Sequence, residues 1–143
     1  MERTLVIIKP DAVERGLIGQ IIARFENRDF AIKGLKLARL DRQTAERLYE
    51  VYKGEPFYEP LIEFTTSGPV VLMVLEGNEA VNVVRRMMGA TFCTDAEPGT
   101  IRGDFGLGQR RNMVHGSDSP ETAQREIALF FSEDELVGVA RTQ

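Results

Sequence analysis

A single histidine occurs in the chain, His115, within the stretch NMVHGSDSP that runs from Asn112 to Pro120. A histidine near a strand end is usually an ordinary hydrogen-bonded side chain. Its neighbours suggest more. Gly116 and a run of small polar residues follow it, so the ring should border the open N-terminus of a helix beginning near Ser119. Such an end presents unpaired N–H groups and a partial positive charge, which suits an anion. The same dipole opposes protonation of the ring, and a neutral ring nitrogen is what nucleophilic attack requires.

Glu126 lies on the helix line Ser119, Thr122, Glu126, away from the apolar stripe. Helical side chains lean toward the N-terminus, so its carboxylate can reach back to His115 and Ser117. There it would orient the ring or stabilise positive charge formed after attack. The competing reading is a solvated helix residue. Further cations and donors stand elsewhere: Lys9 at the end of an early strand, Arg85 on the polar side of a helix, and Thr91 and Arg102 around a long loop. Each alone is an ordinary surface type. No P-loop pattern is present, and the lone GLG at 106–108 is too short to mean dinucleotide binding. A nucleotide site in this chain must be made of side chains.

The elements that would position these groups follow from periodicity. TLVIIK (4–9) is a β-branched run ended by Pro10 and predicts a strand. Ile18, Ile21, Ile22 and Phe25 recur at helical spacing. AIKGLKLARL predicts a second strand, with Leu35 and Leu37 opposed to Lys36. Asp41 can cap a helix carrying Ala45, Leu48, Tyr49 and Tyr52, and Phe57, Leu61 and Phe64 repeat the spacing after Pro56. Val70 to Leu75 predicts a central strand covered on both faces. Ala80, Val84 and Met87 mark a helix ending near Gly89, and residues 89–111 are glycine-rich with no period. NMVH is a short fourth strand. The last helix takes Pro120 in its first turn and buries Ala123, Ile127, Phe130 and Phe131. Few strands with helices between them predict a single domain, 1–143, of the α/β (α+β) class. From the order of elements, a four-stranded mixed sheet covered on one face by helices is the economical solution. The ferredoxin-like arrangement, a four-stranded antiparallel sheet with helices packed on it, is the member of that class expected.

Bulk properties exclude several classes. The chain has 143 residues, 43% of them hydrophobic, enough for one core. Its longest apolar run, VVLMVL, is far short of the roughly 20 residues a membrane helix needs. The N-terminus lacks the pattern of a signal peptide. One cysteine, Cys93, and one histidine cannot form an internal disulfide or a structural zinc site. These features predict a cytoplasmic protein without a membrane anchor. A formal charge of −4 argues against nucleic acid as the principal ligand, while leaving room for a small phosphate compound held by clustered cations.

ERTLVIIKPDAVERGLIGQI, FTTSGPVVLMVLEG, PGTIRGDF and RNMVHGSDS, four blocks in order, resemble nucleoside diphosphate kinases, and the resemblance runs in register from Glu2 to about Val137. The resemblance implies γ-phosphoryl exchange between nucleoside triphosphates, ATP typically, and diphosphates through a phosphohistidine, with broad base tolerance. His115 matches the phosphorylated residue. Lys9, Phe57, Arg85, Thr91, Arg102 and Asn112 match nucleotide-contacting positions, and Tyr49, Ser117 and Glu126 match supporting ones. Mg²⁺ would be carried mainly by the nucleotide phosphates, with no protein metal ligand implied. Phe57 would cover the base, and its alternative is a core residue of its own helix. The family forms hexamers or tetramers, and the loop EPGTIRGDF and the tail beyond Val137 favour a hexamer here. Phe92-Cys93 replaces a frequent Asn-Pro, and Gln109 stands where a small apolar residue often borders the base. Both fall in the loop that shapes the pocket. The rival readings are a histidine phosphocarrier, a ferredoxin-like RNA-binding module and a non-catalytic ligand-binding domain. An aromatic sheet motif of the RNA-binding type is absent.

Overall fold

A computed structural model describes residues 1–108 and 111–141. Strands β1 (Glu2–Ile8), β2 (Ala31–Ala38), β3 (Val70–Gly77) and β4 (Val114–Gly116) form one antiparallel sheet in the order β2-β3-β1-β4. The two central strands are the most apolar runs, and the edges are the weakly patterned β2 and the three-residue β4. This is the ferredoxin-like strand order that was expected.

Seven α-helices surround the sheet among the described residues: α1 (Pro10–Glu14), α2 (Ile18–Asn27), α3 (Arg42–Leu48), α4 (Tyr58–Thr65), α5 (Ala80–Met88), α6 (Ile101–Phe105) and α7 (Pro120–Phe130). They cover both faces, not one. Val6, Ile8, Val71, Met73 and Leu75 pack with α2 and α5 in one core, while Leu5, Ile7, Leu72 and Val74 pack with α3, α4 and α7 in the other. The reason is visible in β1 and β3, which are apolar at every position from Leu5 to Ile8 and from Val70 to Leu75 and so cannot leave a face to water.

Local signals account for the helix ends. Asp41 Oδ1 accepts the Thr44 N–H at 2.8 Å, and Ser119 Oγ accepts the Thr122 N–H at 3.1 Å ahead of Pro120. Two short helices have no period to announce them. Pro10 does not merely end β1 but occupies the first turn of α1, and α6 forms inside the expected irregular stretch, capped by Thr100 Oγ1 on the Gly103 N–H at 3.0 Å. Tyr52 does not continue α3, because Tyr49 ends that helix and a 3-10 turn, Glu50–Tyr52, follows. In α4 the expected apolar spacing is present, but the most buried face of the helix is a different one. Tyr58, Ile62 and Thr65 are buried, leaving Phe57 exposed and Leu61 and Phe64 half-buried. No helix among the described residues is long and apolar enough to cross a membrane.

Candidate active site

His115 is the middle residue of β4 and pairs with Ile7 of β1, so its ring lies on the α3–α7 face of the sheet. It is placed there through an unusual turn. Met113, fully buried, has φ +68, and the Val114 N–H donates across it to the Asn112 carbonyl at 2.7 Å, a φ-positive γ-turn. The Met113 carbonyl in turn accepts the Lys9 N–H at 2.7 Å. A non-glycine residue held at positive φ stores strain that its surroundings must offset. Here it lies between Asn112 and His115, and nothing in a methionine announces it from sequence.

The His115 ring is held on one side by Glu126. Nε2 lies 3.0 Å from Oε1, which also accepts the Ser117 hydroxyl at 2.7 Å. Ser117 is fixed to β1, its N–H donating to the Leu5 carbonyl at 3.1 Å and its Oγ accepting the Leu5 N–H at 3.3 Å. Glu126 is only 3% exposed. It lies off the apolar stripe of α7 as expected, and it is buried by this polar pairing. A carboxylate only accepts, so Nε2 carries the proton and Nδ1 the lone pair. Nδ1 has no hydrogen-bond partner among the described residues. Tyr49 meets the ring edge-on, centroids 5.8 Å apart at 78°. Its hydroxyl is buried without a hydrogen-bond partner among the described residues, and burial pushes its pKa up, so the phenol stays protonated.

A cleft of about 970 Å³ opens beside this ring. Lys9, Tyr49, Phe57, Arg85, Thr91, Arg102, Asn112, His115 and Glu126 all line it, and of the expected site residues only Ser117 does not, because it stands behind Glu126. Arg102 is the best-anchored cation. Its Nε, Nη1 and Nη2 donate to the carbonyls of Asn112 (3.1 Å), Gly89 (2.9 Å) and Val114 (2.7 Å), which ties α6 to the end of α5 and to β4. Burial, with Arg85 nearby, lowers its pKa to about 10, leaving it charged at neutral pH. Arg85 Nη1 reaches the Gly116 carbonyl at 3.3 Å. Lys9 is 5% exposed, donates from Nζ to Asn112 Oδ1 at 2.9 Å, and has its pKa lowered to about 8 by burial and by Arg102. Asn112 Nδ2 donates to the Thr91 carbonyl at 3.3 Å. Phe57, 43% exposed at the N-cap of α4, is a wall of the cleft and not a core residue.

Cations and an apolar wall facing a tethered imidazole suit a ligand with both phosphates and a flat ring. Comparison with known proteins places the whole chain in a family. The family model described as nucleoside diphosphate kinase matches residues 2–136. The chain belongs to that family. A nucleoside diphosphate kinase of Pelotomaculum thermopropionicum is 61% identical over 137 residues, 96% of this chain and 92% of that protein. One from Methanocaldococcus jannaschii is 58% identical over 135 residues, 94% and 96% of the two chains. Among solved structures, the Aquifex aeolicus nucleoside diphosphate kinase superposes with a TM-score of 0.93 at 46% identity, covering 95% of this chain and 99% of that one. A halophilic nucleoside diphosphate kinase from Halobacterium salinarum, solved in complex with CDP, gives 0.93 at 49% identity, covering 95% and 91%.

Several further residues of the cleft were not expected from the sequence. Tyr52, Leu61, Phe64, Asp118 and Arg125 line the cleft without having been singled out for it. The α4 spacing did flag Leu61 and Phe64, but as core. In the first of the two departures, Phe92 lines the cleft and is 47% exposed, while Cys93 is buried against Gly106, and burial pushes its thiol pKa up. Gln109 lies outside the described residues.

Proposed function

We propose that this chain carries the γ-phosphoryl group of a nucleoside triphosphate to a nucleoside diphosphate on Nδ1 of His115. The observation that carries the reading is the Glu126 contact at Nε2, 3.0 Å, which takes one ring nitrogen and leaves the other with its lone pair beside the cleft. Nδ1 attacks the γ-phosphorus in line. The bond to the β,γ-bridging oxygen breaks, and its electrons leave with the diphosphate. The ring then bears an N–P bond at Nδ1 and a proton at Nε2, and the Glu126 carboxylate stabilises that positive charge. A second diphosphate reverses the step in the same cleft. Ser117 keeps Glu126 in place, and Tyr49 limits the tilt of the ring.

Arg85 and Arg102 would neutralise the phosphates, with Thr91 adding a hydroxyl donor. Lys9 would share that work and, with Asn112, hold the sugar hydroxyls. Phe57 would stack on the base, and because every base offers a π-face this supports broad base tolerance. Lys9, Arg85, Arg102 and Arg125 line the cleft, with Glu50, Asp118 and Glu126 as its carboxylates. Mg²⁺ would arrive on the nucleotide and neutralise phosphate oxygens there. The CDP complex of the halophilic relative supports a nucleotide as ligand. A homo-oligomer, hexamer before tetramer, completes the reading, with Leu35 and Leu37 exposed on edge strand β2 as a candidate contact. A cytoplasmic location accords with a lone buried thiol.

The test is direct. Native protein incubated with γ-labelled ATP should take up acid-labile, base-stable label and lose it on addition of GDP, whereas His115→Ala should take up none. Undiminished label on His115→Ala would reject the assignment.

A further inference from the structure

The rings of the cleft form a continuous chain. His115 meets Tyr49 edge-on, Tyr49 stacks on Tyr52 with centroids 6.1 Å apart at 29°, and Tyr52 meets Phe57 edge-on at 5.2 Å and 63°. The two ends of this chain differ in firmness. Tyr49 is 3% exposed and belongs to the core beneath α3 and α4. Phe57 is far more open, follows a turn containing Gly54 at φ +95, and has no side-chain capping bond to fix the start of α4. Tyr52 is its one ring neighbour among the described residues, and Tyr52 lines the same cleft.

Resting on the reading above, in which Phe57 stacks on the base, we propose that Tyr52 is a positioning residue for the nucleotide base: its ring pins Phe57 edge-on so that one Phe57 face is presented to the cleft before the nucleotide arrives. An aromatic side chain that must be ordered on binding costs affinity, and a neighbour that orders it beforehand removes that cost. The contact is between ring edges and faces, so the aromatic ring carries the effect and the hydroxyl does not. Tyr52 acts on whichever base is present, because it orients the platform and reads no base edge. Its influence falls on capture and not on phosphoryl transfer. The reacting nitrogen is at the opposite end of the chain, beyond the buried Tyr49, where Glu126 and Ser117 set the ring.

The experiment follows discharge of enzyme labelled beforehand with γ-labelled ATP, using GDP and, in parallel, ribose 5-diphosphate, an acceptor with no base. For Tyr52→Ala the second-order rate constant with GDP should fall about 2- to 10-fold, the range that aromatic pair energies imply. The maximal discharge rate should hold, as should the constant for ribose 5-diphosphate. Tyr52→Phe should restore the native value with GDP. The double variant Tyr52→Ala/Phe57→Ala should be no slower with GDP than Phe57→Ala alone, since Tyr52 works through Phe57. Equal slowing of both acceptors by Tyr52→Ala, an unchanged GDP constant, additive losses in the double variant, or a failure of Tyr52→Phe to restore the rate would each overturn the assignment while leaving the phosphohistidine intact. Absence of label on native protein would overturn both.

Discussion

Lys9 shows how one residue can serve binding at the expense of folding. Burial and Arg102 lower its pKa from 10.5 to about 8. Burial penalises the charged form, so the unfolded chain binds more protons than the folded one between pH 8 and 10.5. Unfolding free energy must rise with pH across that window, by up to ~3 kcal/mol, and below it the cost of the buried charge is present in full. Nucleotide capture runs the other way, because losing the proton removes a cation from the phosphate and sugar end of the cleft. We therefore expect kcat/KM, which reports the free enzyme, to fall as pH passes about 8. The corresponding limb in kcat should lie higher, since bound phosphates favour the protonated amine. Lys9→Arg should move the limb upward, and Lys9→Met should lose the increment in urea stability that native protein gains above pH 8. A native kcat/KM level to pH 10 would contradict this account. At this scale the residue types were legible from sequence, because the resemblance supplied positions and chemistry supplied reasons. The strained Met113 was not legible, since a positive φ at a side-chain-bearing residue is imposed by the bonds of its neighbours. Nor was Tyr52, which periodicity assigned to a buried helical stripe, whereas Tyr49 ends the helix one turn earlier.

At the scale of elements, long amphipathic segments were readable and short ones were not. α2, α5 and α7 each carry enough turns for a buried stripe to recur, whereas α1 and α6 span five residues each and derive their form from tertiary contacts. α6 matters because it delivers Arg102. It is tethered on the outside by Asp104, which accepts from Arg24 at 2.6 Å and from the Gly99 N–H at 2.9 Å, and by Arg15 donating to the Phe105 carbonyl at 2.7 Å. Gly103 lies so close to the Glu97 carbonyl that an added methyl would overlap it. Backbone cannot yield as a flexible side chain does, so Gly103→Ala must shift α6 against its tethers. That should cost about 1–3 kcal/mol of stability and lower kcat/KM by displacing the Arg102 guanidinium. Gly19→Ala is the matching control: it meets nothing within 4 Å in the first turn of α2. It should raise stability slightly, by less than the ~1 kcal/mol that helix propensity gives in a helix interior, and leave kcat/KM unchanged. Equal kinetics for the two variants would mean that α6 does not set the position of Arg102.

The whole molecule poses a question that one chain leaves open, namely what covers the outer edge of its sheet. β2 is an edge strand, and natural edges are usually short, bulged, charged or covered. Here the device is applied to half of it. Around Lys33 the register shifts, and the tail is tied on by the Gly138 N–H to the Lys33 carbonyl at 3.1 Å and by Lys33 Nζ to the Gly138 carbonyl at 2.6 Å. Further along, Leu35 and Leu37 lie opposite Met73 and Val71, on the face that α2 and α5 cover nearer the centre, yet they are 52% and 68% exposed. Strand alternation predicted their common face but not that it would stay uncovered, because that depends on where α2 ends its reach across the sheet. Covering both leucines with another copy of the same strand would remove apolar surface from water and satisfy the open edge together. The double variant Leu35→Lys/Leu37→Lys, which places like charges across such a contact, should lower the mass measured by sedimentation equilibrium by at least half. It should do so at concentrations where native protein remains assembled, with its far-ultraviolet circular dichroism unchanged. A native-sized assembly carrying both lysines would mean that the subunits meet elsewhere. A monomeric native protein would remove the homo-oligomer from the proposal while leaving the chemistry of His115 untouched.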